Sequence, residues 1–143
     1  MRVLVTGCFD ILHPGHLFLF REAAKLGEVI VIVARDSTIK KWKKVAPVVP
    51  EDQRLEVIQA VREVSYATLG NENNNFMEKA LSLKPDLILL GPNQKISVDQ
   101  LKKELKRHHA DHIQVQRLDK FYDKYPLSSS SAIKEKIKTM SPS

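Results

Sequence analysis

The feature that most restricts the fold of this chain is the alternation of short apolar runs with helical patterns. Three runs, Arg2–Gly7, Glu28–Ala34 and Asp86–Gly91, are continuously apolar over most of their length instead of alternating with polar residues. Continuous apolar strands separated by helices are typical of a parallel sheet that is covered on both faces. The sequence therefore predicts an α/β fold with a doubly wound parallel sheet.

Weaker patterns complete this layout. Leu55, Ile58 and Val61 recur at helical spacing, and two short segments between helices are expected to be strands. No repeat or linker interrupts the alternation, so a single domain over residues 1–143 is expected. The further strands are predicted at Ser65–Leu69 and Ile113–Val115, and the helices at His16–Leu26, Glu51–Arg62, Phe76–Leu83, Val98–Arg107 and Ala132–Thr139.

Ligands of such sheets bind at the carboxyl ends of the strands, where the strand order reverses. The loops Cys8–Gly15, Arg35–Pro50 and Gly91–Lys95 follow the first, second and fourth predicted strands. We expect the functional site among these three loops.

Composition narrows the class of partner. The chain has 143 residues, 43% of them hydrophobic, and a formal charge of +6, which suits either nucleic acid or small polyanions such as nucleotides. Aromatic residues make up only 6% and do not interleave with basic ones, which disfavours single-strand binding. Cys8 is the only cysteine, and no run approaches the roughly 20 apolar residues of a membrane span. A cytoplasmic protein without nucleic-acid or membrane partners is expected.

The first loop carries the strongest chemical signal. His13, Pro14, Gly15 and His16 stand where a buried strand passes into a helix. Pro14 presets φ for the helix start, Gly15 lets a phosphate approach its backbone, and free N–H groups favour an anion. Two imidazoles at this position can donate hydrogen bonds to phosphate oxygens. The alternatives are a core histidine bonded to a carbonyl, or zinc, for which no third ligand is evident.

This loop resembles the signature of the cytidylyltransferase-like nucleotidyltransferases, an H-x-G-H motif after a G-x-F-D turn. Cys8-Phe9-Asp10 and His13-Pro14-Gly15-His16 carry the resemblance. It extends over nearly the whole chain, and among subfamilies the chain is most similar to the archaeal FAD synthases. Four further segments fall in register with the family: Arg35-Asp36, Pro50-Glu51-x-Gln53-Arg54, Gly91-Pro92-Asn93-Gln94 and the serines Ser128–Ser131.

The resemblance implies a Rossmann-like fold of the HUP type and transfer of AMP from ATP to FMN. The α-phosphate would lie between His13 and His16, with a divalent cation, magnesium being expected, on the phosphate oxygens and no metal held by the protein itself. A homodimer is also implied. The residues expected to bind the nucleotide are Cys8, Phe9, Asp10, His13, Pro14, Gly15, His16, Asn93, Ser129, Ser130 and Ser131.

The loop after the second strand is expected to supply cations. Lys40, Lys41, Lys43 and Lys44 lie in a segment without helical regularity, and we expect Lys41 to be catalytic. Lys44 and Arg35 are expected to bind the acceptor. Trp42, within this segment, either stacks on a flat acceptor ring or packs against the domain or a second subunit.

Several alternatives stay open on the sequence. Asp10 either serves the nucleotide site as its nearest carboxylate or caps the turn. Glycerol-3-phosphate cytidylyltransferases carry R-T-x-G before the serine run, and here Lys124-Tyr125-Pro126-Leu127 stands instead, which disfavours CTP and leaves Lys124 as a substitute for the arginine. The runner-up is nevertheless such a CTP-dependent enzyme, followed by a non-catalytic nucleotide-binding or nucleic-acid-binding module.

Overall fold

A computed structural model describes residues 1–73 and 75–140. Within these residues five strands and six helices alternate, and no helix is long and apolar enough to cross a membrane. The single domain expected over residues 1–143 stays a prediction. The elements are β1 Arg2–Gly7, α1 Pro14–Leu26, β2 Glu28–Val33, α2 Asp36–Lys43, α3 Glu51–Gln59, β3 Val64–Leu69, α4 Phe76–Ser82, β4 Leu87–Leu90, α5 Val98–Arg107, β5 Gln114–Arg117 and α6 Ser130–Thr139.

The five strands form one parallel sheet in the order β3-β2-β1-β4-β5. β1 pairs with β2 along its whole length, from Arg2 opposite Glu28 to Gly7 opposite Val33, and pairs with β4 on its other side. The chain winds outward from β1 in both directions, so the order reverses between β1 and β4. The predicted doubly wound parallel sheet is confirmed, and the reversal point lies where the first loop leaves β1.

Both faces of the sheet are buried, which explains why the strands read as continuous apolar runs. Val3 and Val5 face one core, which Phe20 and Ala23 of α1 and Ile58 of α3 complete. The intervening residues face a second core against α4 and α5, which contains Leu4, Ile30, Ile88, Met77, Ala80, Leu101 and Leu105.

The structure corrects the expectation of an irregular loop after β2. Residues Asp36–Lys43 form α2, which ends where Lys44 adopts the left-handed conformation with φ 65°. Only Ile39 of α2 is buried, so the segment shows almost no apolar periodicity, although its lysines favour a helix. Lys40, Lys41 and Lys43 therefore lie on a helix, and Lys44 is its C-cap.

Two helices begin earlier than predicted because their first turns are polar. Pro14 is the first residue of α1 and His13 is its N-cap, while Ser129 caps α6 and Ser130 begins it. Helix α3 is shorter than predicted and ends at Gln59. Polar caps and first turns carry no apolar periodicity, so an interpretation by hydrophobic spacing places such helix starts too late.

Candidate active site

A cleft of about 360 Å³ lies at the carboxyl ends of β1 and β4, at the point where the strand order reverses. The loops after β1 and β4 both contribute to it, as the sequence predicted, and the segment after β5 and the start of α6 form another wall. The lining residues are Thr6, Gly7, Cys8, Phe9, Asp10, His13, Gly15, His16, Phe18, Leu19, Lys43, Gly91, Pro92, Asn93, Gln94, Leu118, Lys120, Phe121, Tyr122, Ser128, Ser129, Ser130, Ser131 and Lys134.

The two histidines build the N-terminus of α1 and have their tautomers set by it. Gly15 N donates to His13 Nδ1 at 3.0 Å, and His13 N donates to His16 Nδ1 at 3.3 Å. A neutral imidazole that accepts at Nδ1 carries its proton at Nε2. Each ring therefore has an Nε2–H donor that its helix-capping contact does not use. The rings stack with centroids 3.6 Å apart, and both line the cleft.

Burial keeps both histidines uncharged. It lowers the pKa of His13 below its ordinary value of 6.5. For His16, burial first, then the nearby His13 and Lys43, lower the pKa to about 3, although Asp10 acts in the opposite direction. Both side chains are therefore neutral hydrogen-bond donors at neutral pH, and the positive charge of the cleft comes from elsewhere.

The Phe9 ring packs against His16, and the backbone at Phe9 adopts a strained conformation. Its φ of 52° is in the left-handed region, which residues other than glycine rarely occupy, and Ile11 shares this feature with φ 62°. The Phe9 ring lies edge-on to the His16 ring at 5.2 Å and packs against Phe20. A Cβ on Gly7 would lie 2.9 Å from Phe9 Cζ, so glycine at position 7 makes room for this ring.

Gly15 has a second reason to be glycine, besides the expected approach of a phosphate, which stays a prediction. A Cβ at this position would lie 2.7 Å from the carbonyl oxygen of Ser128 and 2.8 Å from Cε1 of His13. The missing side chain therefore lets the serine segment and the His13 ring close against the start of α1. Pro14 is absent from the lining and acts through the backbone, as the first residue of the helix.

Asp10 is the anchor of the turn. Its two carboxylate oxygens each accept a hydrogen bond of 2.9 Å, from Val48 N and from Val49 N, and Lys134 Nζ lies 2.9 Å away. Burial alone raises the pKa of this carboxyl, but the two amides and Lys134 outweigh that effect and hold the pKa below its ordinary value. The carboxylate thus joins the turn after β1 to the segment before α3, which is a long-range contact and not the local turn cap considered for it; its expected role in binding the nucleotide stays a prediction.

The start of α6 brings a second helix N-terminus into the cleft. Ser129 caps it by accepting from Ala132 N at 3.0 Å, and Ser130 Oγ donates to the carbonyl of Asp10. Ser128 to Ser131 and Lys134 line the cleft together with the start of α1. Two helix N-termini, with the positive ends of their dipoles, thus face one space that suits a polyanion.

The cations predicted from the sequence are not those that reach the cleft. Among the described residues, Lys43, Lys120 and Lys134 line it, whereas Lys41 and Lys44 do not. Arg35 is also outside, because its guanidinium donates to the carbonyl of Gly70 at 2.7 Å and to Glu51 at 2.9 Å.

Two other candidates also stand apart from the lining. Lys124 Nζ lies 5.4 Å over the Tyr125 ring. Trp42 is 70% exposed and so does not pack against its own domain.

Arg54, which the sequence analysis named only as part of a segment in register with the family, is a structural residue. Its side chain is 1% exposed and donates to the carbonyls of Val49 at 2.8 Å, Cys8 at 2.6 Å and Ala34 at 2.8 Å. It also pairs with Asp36 at 2.7 Å. One guanidinium thereby ties the ends of β1 and β2 to α2 and α3. The available signal was an arginine beside Leu55 on a helix that packs against the sheet.

The loop after β4 completes the cleft. Gly91 N donates to Gln94 Oε1 at 2.6 Å, which closes a short turn, and Arg117 donates to the carbonyl of Gly91 at 2.7 Å. Asn93, expected to contact a ribose hydroxyl or a base edge, lies on the cleft side of this turn. Its amide offers both donors and an acceptor.

A parallel sheet with two helix N-termini at its reversal point defines a nucleotide-binding α/β domain. Residues 4–136 match the model of the cytidylyltransferase-like family, and the chain belongs to this family.

Curated relatives and solved structures agree with this assignment. The chain is 43% identical to FAD synthase of Methanothermobacter thermautotrophicus over 142 residues, covering 96% of this chain and 91% of the relative. It is 44% identical to FAD synthase of Archaeoglobus fulgidus over 135 residues, covering 94% and 95%. A Thermoplasma volcanium structure, described as a lipopolysaccharide core biosynthesis protein, superposes with a TM-score of 0.80 at 36% identity, over 86% of this chain and 98% of that one.

Proposed function

We propose that this chain is an FAD synthase, which transfers the AMP group of ATP to the phosphate of FMN and releases pyrophosphate. The observation that carries the proposal is the pair of neutral Nε2–H donors, His13 and His16, held beside a second helix N-terminus in one cleft. The similarity to archaeal FAD synthases supports the choice of donor and acceptor.

The reaction requires positioning and charge stabilisation more than covalent chemistry. A phosphate oxygen of FMN forms a bond to the α-phosphorus of ATP in line with the bond to the β-phosphate, which breaks. Negative charge builds on the α-phosphate oxygens and on the departing pyrophosphate. His13 and His16 donate their Nε2 protons as hydrogen bonds to these oxygens without losing them, so no proton has to move onto a buried ring.

We assign the other parts of the nucleotide to the residues around the two histidines. Ser129, Ser130, Ser131 and the start of α6 suit the β- and γ-phosphates, and Lys134, which pairs with Asp10, lines the cleft beside them. Asn93 contacts the ribose or the base edge. The role expected of Lys41 passes to Lys43, because Lys43 is the cation of α2 that lines the cleft.

Magnesium enters with the nucleotide. Within the described residues no group of three His, Cys, Asp or Glu side chains is arranged to hold a metal, and Asp10 is already bonded to two amides and a lysine. Magnesium prefers to keep most of its water and to bind phosphate oxygens. A magnesium ion carried by ATP would neutralise charge on the phosphate oxygens, and the protein would bind that complex through its hydrogen-bond donors.

The test is direct. The protein is incubated with magnesium and either ATP or CTP, with FMN, pantetheine phosphate or glycerol 3-phosphate as acceptor, and the products are separated by chromatography. The proposal predicts FAD from ATP and FMN, and no product from CTP. CDP-glycerol from CTP, without FAD, would establish the runner-up. Sedimentation of the same sample tests the homodimer, which we propose from the family.

A further inference from the structure

Three exposed apolar side chains follow one another at the C-terminal end of α2 and in the loop after it. Trp42 is 70% exposed, Val45 66% and Val48 63%. Exposed apolar residues that stand together, rimmed by charge, mark binding surfaces. Resting on the proposed FAD synthase function, we propose that Trp42, Val45 and Val48 form the surface on which the isoalloxazine ring of FMN binds, with Trp42 stacking on it.

This apolar strip is attached to the cleft at both ends. Lys43, next to Trp42 in the chain, lines the cleft. At the other end, Val48 N donates to Asp10 Oδ2 at 2.9 Å, and Asp10 is itself a lining residue. Lys44, with its left-handed backbone, reverses the chain between these two attachments. The chain on either side of the strip is therefore attached to residues that line the cleft, although the three apolar side chains are not themselves among the lining residues.

The chemistry of FMN fits this arrangement. FMN has a phosphate at one end of a flexible polar chain and a large flat apolar ring at the other. If the phosphate lies at Lys43, facing the histidine pair, the ring extends outward to the border of the cleft. There it meets an indole and two valine side chains, which bind a flat apolar ring by stacking and burial.

The positive charges around the apolar strip suit the phosphate end of FMN. Lys40, Lys41, Lys43 and Lys44 surround Trp42, and no acidic residue lies between Ile39 and Pro50. Such a positive field attracts a dianionic phosphate ester. Lys41 and Lys44, which do not line the cleft, act here by drawing in the acceptor, and this retains for Lys44 the acceptor role expected from the sequence.

A second group of aromatic residues offers an alternative binding site for the flavin ring. Phe121 is 65% exposed and lines the cleft, beside Phe18 and Tyr122, whose rings are 5.4 Å apart. Phe121 and Tyr122 follow β5, which lies on the other side of β1 from β2, whereas Phe18 belongs to α1. Lys120 and Lys124 flank this group together with Asp119 and Asp123, whereas the four lysines around Trp42 have no acidic residue among them, so we assign the acceptor ring to Trp42. Variants of both groups separate the two locations.

The chain offers a built-in reporter, because Trp42 is its only tryptophan. Titration with FMN, corrected for light absorption with free tryptophan amide, is expected to quench the emission in a saturable way. Riboflavin, which lacks the phosphate, is expected to quench only at much higher concentration. Emission that FMN leaves unchanged after correction would overturn the proposal.

Kinetics of variants complete the test. Stacking of a flat ring on an aromatic side chain contributes about 1–3 kcal/mol, so Trp42→Ala is expected to raise the KM for FMN about tenfold while the KM for ATP stays unchanged. Trp42→Phe is expected to retain most of the affinity. Tyr66→Ala, an exposed aromatic on β3 away from the cleft, is the matched control.

The outcomes separate this proposal from the function on which it rests. A wild-type protein that makes no FAD refutes the proposed function itself. A wild-type protein that makes FAD, together with a Trp42→Ala variant whose KM for FMN is normal, overturns the flavin surface alone. The same holds if Phe121→Ala raises that KM and Trp42→Ala does not, or if Trp42→Ala only dissociates a dimer.

Discussion

Replacement of Arg54 by methionine tests how the fold holds its active-site loop. The guanidinium is 1% exposed and donates to three carbonyls, those of Val49, Cys8 and Ala34, besides its pair with Asp36. Methionine fills much of the same volume but donates nothing. The variant therefore leaves three part-buried carbonyls and one carboxylate without their common partner.

The expected loss in the free energy of unfolding follows from these contacts. A buried acceptor that loses its partner costs about 1–3 kcal/mol, and removal of one member of a buried ion pair costs about 3–5 kcal/mol. Because the three carbonyls are only part-buried and Asp36 is 40% exposed, water replaces much of what the guanidinium donated, and we expect a loss of about 4 kcal/mol, below the sum of these figures. Domains of this size have about 5–15 kcal/mol of stability, so the variant should be folded only marginally.

Equilibrium unfolding in urea measures this loss. With a slope of about 2 kcal/mol per M, the midpoint should fall by about 2 M. Arg62→Met, an exposed arginine just beyond α3, is the matched control and should change stability by no more than about 0.5 kcal/mol. A loss below about 1 kcal/mol for Arg54→Met would show that water replaces the guanidinium freely and would refute the reasoning.

Three further predictions concern the cleft. His13→Ala and His16→Ala should each lower turnover at least about a hundredfold while the protein stays folded, with about 1 kcal/mol lost from the cap; near-normal turnover in a steady-state assay would contradict this. The pKa of His16 is lowered to about 3 in the folded protein, so the unfolded chain binds the proton first as the pH falls below 6.5. The free energy of unfolding should therefore drop between pH 7 and pH 5 by up to about 2 kcal/mol more in the wild type than in His16→Ala, measured by urea unfolding; equal slopes would contradict it. EDTA should abolish pyrophosphate release and leave the melting temperature within about two degrees, whereas a large fall would reveal a structural metal.

The strands and the location of the site could be predicted because they rest on local patterns. A strand that is buried on both faces has to be apolar throughout, and the reversal point of a doubly wound sheet follows from the order of its elements. Fold class, family and the strand layout are thus confirmed. Helix α2 was missed because it buries little more than Ile39, and a helix without an apolar stripe gives no periodic signal.

The expectation for Lys41 stays a prediction, and it was made without the helix that sets the directions of the lysine side chains. Once residues Asp36–Lys43 are helical, neighbouring lysines point in directions about 100° apart, and only one of them faces the cleft. Lys43 is that residue, whereas an irregular loop gave no basis for preferring it to Lys41. The direction of a side chain depends on the helix, and the helix was not predicted.

The network around Asp10 and Arg54 could not be predicted from spacing at all. Asp10 accepts from Val48 and Val49, 38 and 39 residues away, and Arg54 donates to the carbonyl of Cys8, 46 residues away. The partner atoms in these contacts belong to the backbone, which every residue possesses. Such contacts leave no trace in the identity of the partner, so only the three-dimensional structure reveals them.

The most direct measurement follows the α-phosphate of ATP. Excess protein is mixed with magnesium, FMN and ATP labelled in its α-phosphate, and the reaction is stopped during the first turnover. We predict that the label moves from ATP to FAD with no labelled protein and with pyrophosphate released in equal amount, and that His16→Ala slows this transfer at least about a hundredfold. Label that stays in ATP with FMN present, or that passes through a covalent protein intermediate, would contradict adenylyl transfer by the histidine pair.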